Sequence, residues 1–188
     1  MVEDYVVRTG KSKQESAHEI SKILMTRTIV KVGSIGAITS SSSSVPGLGS
    51  IAAMLFTSVI DFALVLREQI ELCYKVSCAY DIDLTGDELK AITLAIIGFS
   101  FTAEAATHIS EIALTKVINK MAANYMNRGL EKSAEGVARE ILPRLGGRIS
   151  KYLPFISIPI SISINVVSTL TVGKQAIKYF SAWNDNTN

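Results

Sequence analysis

Three stretches of the chain contain no Asp, Glu, Lys or Arg, and they restrict its fold more than any other feature. They are residues 32–60, 91–103 and 152–173. A helix that spans a bilayer needs about 20 apolar residues, and the first and third stretches are longer than that. Such segments must be buried inside the protein or placed against a membrane or a partner, because apolar surface is unfavourable in water.

The first of these stretches is interrupted in its middle by residues that oppose a continuous helix. The sequence GSIGAITSSSSSVPGLG occupies residues 33–49 and combines four glycines, a run of serines and Pro46. Glycine, proline and serine clusters are typical of turns and loops. We therefore predict a loop over residues 33–49, or the tip of a re-entrant hairpin.

The third stretch contains FISIPISISI, in which isoleucine alternates with serine or proline as in a half-buried strand. Pro159 argues against a strand, since its missing amide breaks the hydrogen-bond ladder unless the strand lies at a sheet edge. In a helix that begins near Ser157, Pro159 lies in the tolerated first turn, and Gly173 is a natural end. We predict this helix, packed on the helix of residues 50–80 through a seam of small polar residues: Ser157, Ser161, Asn165 and Ser168.

The remaining segments also predict helices. Ser12 with Glu15, and Thr85 with Glu88, have the spacing of a capping box at a helix start. Residues 50–80 and 103–125 show helical periodicity, and a further helix from residue 130 is expected to end near Pro143. The predicted fold is all-α, a compact bundle of about six to seven helices with two long uncharged helical segments. We expect a single domain over residues 1–188, with flexible ends at 1–11 and 182–188.

Charge is distributed unevenly along the chain, although the net charge is only +2. Residues 32–115 contain three basic and nine acidic side chains, whereas residues 116–151 contain eight basic and three acidic ones. A basic block beside uncharged segments is what attraction to an anionic membrane requires, although an ordinary solvated helical face has the same composition. The block has no motif for nucleic acid. Its candidate head-group contacts are Lys116, Lys120, Arg128, Lys132, Arg144, Arg148 and Lys151.

No arrangement of residues indicates a catalytic or metal site. Glu104, His108 and Glu111 share a helical face, but a carboxylate-bridged metal centre needs more ligands from more helices. The nucleophile elbow, the phosphate-binding loop and the common zinc motifs are absent from the sequence. Cys73 and Cys78 lie five residues apart on one predicted helix, which favours two separate reduced thiols. We expect no enzyme activity and no cofactor.

Two segments together resemble the EcsC family. Residues 46–88 contain a glycine-rich turn, an apolar helix with an Asp, an Arg about two turns later and a tyrosine before an acidic loop. Residues 142–180 contain a basic helix, a small-residue helix with an Asn, and a glycine followed by an aromatic end. Where the family often has a glycine after the tyrosine, this chain has Asp81. The matching positions are Asp61, Arg67, Tyr80, Asp83, Asn165, Gly173, Ala176, Ile177, Tyr179 and Phe180.

The resemblance implies an all-helical, membrane-associated bacterial domain without established catalysis. Together with the charge pattern, it leads us to expect an amphitropic protein that docks on, or inserts into, the cytoplasmic face of an anionic inner membrane. The opening residues are charged and lack a signal core, so we expect a cytoplasmic location. One version of this hypothesis is a pore-forming effector. The alternative is a soluble interaction module for a GTPase, a transporter or a second copy of itself.

Overall fold

The computed structural model describes residues 2–42, 51–102, 105, 109–149 and 157–187, with side chains at 2–34, 62–102, 105, 109–141 and 165–183. These residues form seven helices and no strand, which confirms the predicted all-α bundle. Of residues 32–60, the described ones divide between α2 (32–42) and α3 (51–60). The helices are α1 (Val2–Thr9), α2 (Lys13–Ser42), α3 (Ile51–Ala79), α4 (Gly86–Ser100), α5 (Glu111–Arg128), α6 (Leu130–Ile149) and α7 (Ser157–Thr187).

Both predicted capping boxes are present. At the start of α2, the Glu15 amide donates to Ser12 Oγ at 3.2 Å, and the Ser12 amide donates to Glu15 Oε2 at 3.1 Å. Thr85 and Glu88 make the same exchange before α4, at 3.3 and 3.0 Å. Each box gives hydrogen-bond partners to amides that the helix itself leaves unpaired.

Three helices continue past the points where the sequence predicted an end. Helix α2 runs to Ser42, so the loop prediction is wrong over residues 33–42, while residues 43–50 lie outside the described part. Helix α6 passes Pro143 and ends at Ile149, and α7 passes Gly173 and ends at Thr187. An interior glycine costs about 1 kcal/mol relative to alanine, and a proline about 3 kcal/mol. At Gly173 the close packing of α7 on α2 offsets this local cost.

Both ends of the described chain are helical, and their predicted flexibility stays a prediction. Residues 2–9 form α1, and α7 continues through residues 182–187. The Tyr5 hydroxyl donates to Glu19 Oε2 at 2.9 Å, and this bond joins α1 to α2. A short helix that is anchored in this way gains order from a tertiary contact rather than from its own propensity.

Helices α2, α3 and α7 form a unit in which α2 runs antiparallel to the other two. Lys31 Nζ of α2 lies 2.7 Å from Glu68 Oε1 of α3, and His18 near the start of α2 contacts Tyr80 after the end of α3. The Gln69 amide of α3 donates to Ser168 Oγ of α7 at 3.1 Å. These contacts place Lys31, Glu68 and Ser168 at the same level along the unit.

The C-terminus of α3 is closed by a Schellman motif. The Ile82 amide donates to the Ser77 carbonyl at 3.1 Å, and the Asp81 amide donates to the Cys78 carbonyl at 3.2 Å. Asp81 has a φ of 57°, in the left-handed region that this motif requires and that glycine adopts most easily. The motif turns the chain directly into the capped start of α4.

The main cluster of buried residues lies around the C-terminal halves of α3 and α7. Leu72 and Tyr80 of α3, and Val172 and Phe180 of α7, are buried there with residues of α4, α5 and α6. Helices α4 and α5 pack on each other and on α7, and α6 packs on both. The shorter helices therefore cover one half of the three long ones.

Candidate functional site

The antiparallel arrangement brings parts of both long uncharged stretches to one end of the bundle. Because α2 runs opposite to α3 and α7, its last residues and their first residues point in the same direction. We call this the uncharged end; it comprises residues 33–42 of α2, 51–60 of α3 and 157–165 of α7. Segments far apart in the sequence thus lie at the same end of the unit.

Apolar side chains are exposed at the base of the uncharged end. Val30 of α2 is 68% exposed and Val167 of α7 is 59% exposed, and they are the chain neighbours of Lys31 and Ser168. Leu64 of α3 is 38% exposed and lies one helical turn nearer to the uncharged end than Glu68. A surface with apolar residues on all three helices is a candidate contact surface.

A polar layer joins the three helices at the same level. The Glu68 side chain is largely buried and pairs with Lys31, whose side chain is about half exposed. Gln69 is buried, and its amide donates to Ser168 Oγ and to Thr169 Oγ1. Because buried polar groups favour only the arrangement that pairs them, this layer fixes the register of α2, α3 and α7.

The first cations along each helix from the uncharged end form a basic collar. They are Lys31 and Arg27 on α2, Arg67 on α3 and Lys174 on α7, and all four residues are exposed. Lys31 is paired with Glu68, and the nearby Glu71 is paired with Lys75 at 2.6 Å. Arg27, Lys31 and Lys174 were not predicted as site residues, although the charges that border each uncharged stretch are visible in the sequence. Local sequence patterns do not contain the direction of the helices, which brings these residues together.

The residues that match the EcsC pattern are only partly clustered. Tyr80, Ala176, Ile177, Tyr179 and Phe180 lie in the main buried cluster, where the Tyr80 hydroxyl lies 3.1 Å from His18 Nδ1 and Tyr179 donates to Asn119 Oδ1 at 2.5 Å. Asp83 is exposed between α3 and α4. The remaining side chains are exposed at Arg67, half-buried at Asn165 and outside the described part at Asp61.

Gly173 is the pattern residue with the clearest structural role. A Cβ atom placed there would lie 2.6 Å from Met25 Cγ and 2.8 Å from Met25 Sδ. Only glycine allows α2 and α7 to approach this closely without a shift. The prediction that Gly173 ends the helix is therefore wrong, because it is a packing position in the interior of α7.

The small polar seam predicted on α7 is described only in its C-terminal half. Ser168 contacts α3 through Gln69, as the sequence predicted, while Val166 lies 3.6 Å from the Cβ position of Gly33 on α2. The side chains of Ser157 and Ser161 lie outside the described part. Helix α7 thus packs on both of the other long helices, and more extensively on α2 than on α3.

The predicted head-group contacts are divided between described and undescribed residues. Lys116, Lys120, Arg128 and Lys132 are exposed on α5 and α6, and the side chains of Arg144, Arg148 and Lys151 lie outside the described part. Arg139, also exposed, is paired with Glu135. Over residues 111–141 the charge is nearly balanced, with five cations (Lys116, Lys120, Arg128, Lys132, Arg139) against four carboxylates (Glu111, Glu131, Glu135, Glu140).

The perturbed titratable groups have structural causes. Burial raises the pKa of the Cys73 thiol to about 12, and it also raises the pKa of Tyr179. Burial lowers the pKa of His18, with a further contribution from Lys22, so its ring stays neutral near neutral pH. A cysteine with a raised pKa is a poor nucleophile. Among the described residues, no group of three His, Cys, Asp or Glu is placed to hold a metal ion.

Comparison with known proteins adds no relative to this chain, since no family model, curated protein or solved structure matches it. The helices themselves were also compared with the length and hydropathy of membrane spans. Within the described residues, none is both long enough and apolar enough to cross a bilayer.

Proposed function

We propose that this chain is a non-enzymatic, amphitropic helical protein that docks on the cytoplasmic face of an anionic membrane through its uncharged end. The observation that carries the proposal is the convergence of residues 33–42, 51–60 and 157–165 at one end of the α2–α3–α7 unit. Exposed Val30 and Val167 add apolar surface next to these uncharged segments. The resemblance to the EcsC family supports the same assignment.

The energetics favour a reversible association with the membrane surface. Burial of apolar surface contributes about 25 cal/mol per Å², and each cation near an anionic surface contributes about 1 kcal/mol. A short uncharged end with a few cations supplies both terms. It contains much less apolar helix than a protein that is permanently inserted.

Vesicle flotation tests the proposal. The purified chain is mixed with phosphatidylcholine vesicles, with or without phosphatidylglycerol, and separated on a density gradient. We expect the protein to float with the anionic vesicles and to remain at the bottom with the neutral ones. A chain that stays at the bottom in both cases contradicts the proposal.

A pore-forming version of this function has its own test. If the uncharged end crosses the bilayer after docking, vesicles loaded with a self-quenched dye will leak when the protein is added. Vesicles that bind the protein but retain their dye contradict this version and leave surface docking intact.

The second candidate function is a soluble interaction module for a GTPase, a transporter or another copy of the chain. Exposed Val30, Leu64 and Val167 favour it as well, since apolar side chains in neighbouring positions also mark protein interfaces. Light scattering during gel filtration tests the self-associating form. We then expect a dimer or larger species without lipid, and Val167→Asp should shift it to the monomer.

A further inference from the structure

The charges around the uncharged end allow the docking orientation to be derived, on the basis of the proposed function. Two surfaces compete for the anionic head groups: the basic collar, and the exposed cations of α5 and α6. They lie in different parts of the fold, because α5 packs near the C-terminal half of α7. There the Lys178 side chain donates to the Ile109 carbonyl and Tyr179 donates to Asn119.

The uncharged end has the length that one leaflet can accept. Ten residues of α2 lie beyond Val32, and ten residues of α3 precede Asp61. At 1.5 Å per residue each segment is about 15 Å long, and the hydrocarbon core of a bilayer is about 30 Å thick. The segments therefore match half of the bilayer.

Asp61 and Glu68 are the first two carboxylates on α3 from the uncharged end. The Glu68 carboxylate is directed toward α2, where it pairs with Lys31. Arg27, Arg67 and Lys174 are exposed on the three helices, and the half-exposed carboxylate near them, Glu71, is paired with Lys75.

We propose that the uncharged end enters the head-group and outer acyl region of one leaflet, and that Arg27, Arg67 and Lys174 contact the lipid phosphates. Exposed Val30 and Val167 lie beside Lys31 and Ser168, nearer to the uncharged end than Lys174, so apolar surface precedes that cation on the way into the leaflet. Long basic side chains reach toward phosphates while their methylene groups stay against apolar surface. The exposed face of α5 and α6 over residues 111–141, where five cations stand against four carboxylates, faces the water.

Two charge-matched triple variants test this orientation. The collar variant is Arg27→Gln, Arg67→Gln, Lys174→Gln, and the control variant is Lys116→Gln, Lys120→Gln, Lys132→Gln. Each removes three exposed cations, and all six sites leave the described hydrogen bonds intact. Thermal unfolding in water first establishes that both variants fold.

Binding is then measured by co-sedimentation with phosphatidylcholine–phosphatidylglycerol vesicles. We expect the collar variant to bind about 10- to 100-fold more weakly than the original chain, while the control variant loses no more than about threefold through its changed net charge. Equal losses in the two variants, or a larger loss in the control, overturn the orientation but leave the docking function standing. If the original chain fails to bind, both proposals fall.

A depth measurement tests the same orientation independently of charge. Val167→Trp and Ile112→Trp each place one tryptophan on an exposed apolar site in a Trp183→Phe background; Ile112 on α5 is 72% exposed. With vesicles containing brominated lipids, we expect strong quenching and a blue shift for the Val167→Trp chain and neither for the Ile112→Trp chain. Quenching at residue 112 without quenching at residue 167 overturns the proposed orientation.

Discussion

Gly173 is recognisable in the sequence as a special residue, but its role is visible only in the fold. A helical glycine costs conformational free energy, so its presence inside α7 needs a packing reason. The close approach of Met25 provides that reason. Gly33 on the facing side of the same interface is a useful contrast, because its Cβ position lies 3.6 Å from Val166 Cγ2, an ordinary contact.

The two glycines predict opposite effects of substitution by alanine. Gly173→Ala forces Met25 or the α2 backbone to shift, and we expect it to lower the free energy of unfolding by about 1–3 kcal/mol. Gly33→Ala fits the space and reduces the freedom of the unfolded chain, so it should be neutral or stabilising by up to about 1 kcal/mol. Urea unfolding measures both changes. Equal stabilities of the two variants would contradict this account of the interface.

His18 predicts a pH dependence of stability. Burial lowers its folded-state pKa below the reference value of 6.5, so the unfolded chain takes up a proton first as the pH falls. Stability therefore decreases from neutral pH through 6.5 and down to the folded-state pKa. We expect the melting temperature to fall more between about pH 7.5 and about pH 5 in the original chain than in His18→Gln.

Carboxylates provide the internal reference for this measurement. Glu15, through its bonds to Ser12, and Glu19, through Lys11 and Tyr5, have pKa values lowered below 4.5. These carboxylates contribute stability above pH 4.5, and the contribution is lost as the pH falls through their folded-state pKa values. The loss is expected to be the same in the original chain and in His18→Gln. Parallel melting curves for the original chain and His18→Gln above pH 5 would exclude the histidine as the cause.

At the scale of elements, the capped helix starts were easier to predict than helix ends, whereas the start predicted at residue 103 is wrong because α5 begins at Glu111, after its N-cap Ser110. The capping boxes at Ser12 and Thr85 are local, since each needs only two side chains three residues apart. Helix ends depend on what the next turn packs against. Pro143 and Gly173 are weak stop signals inside helices, and the Schellman motif at Asp81 carried no glycine to indicate it.

The left-handed conformation of Asp81 predicts a difference between two substitutions at that residue. Both Asp81→Gly and Asp81→Ala remove the exposed ion pair with Lys13. Only alanine has a Cβ atom that opposes a φ of 57°. We expect the glycine variant to melt about 2–4 °C above the alanine variant, and calorimetry measures the difference. A higher melting temperature for alanine would show that the left-handed turn is not retained.

At the scale of the whole molecule, the main buried cluster and the uncharged end lie in different parts of the long helices. Leu72, Cys73 and Val76 of α3 are fully buried with α4 and α7. The uncharged end extends away from that cluster in the opposite direction along α3. The half of the bundle that holds this cluster therefore supplies much of its stability.

The two cysteines report on this division. Cys78 is exposed, whereas Cys73 is fully buried in the cluster with a pKa raised to about 12. We expect iodoacetamide to modify Cys78 within the folded protein and Cys73 only after unfolding in urea. Mass spectrometry of the Cys78→Ser variant follows Cys73 alone. Rapid modification of Cys73 in water would mean that the cluster opens locally.

The sequence by itself determined the class of the fold, most helix positions and the location of the uncharged stretches along the chain. These depend on periodicity, capping and composition, which act over a few residues. The tertiary structure decided that residues 33–42, 51–60 and 157–165 share one end, that Arg27, Arg67 and Lys174 border it, and that Gly173 is a packing position. These features depend on the relative direction of α2, α3 and α7. Long-range contacts, such as that of Lys31 with Glu68, establish this direction, and local sequence patterns do not contain it.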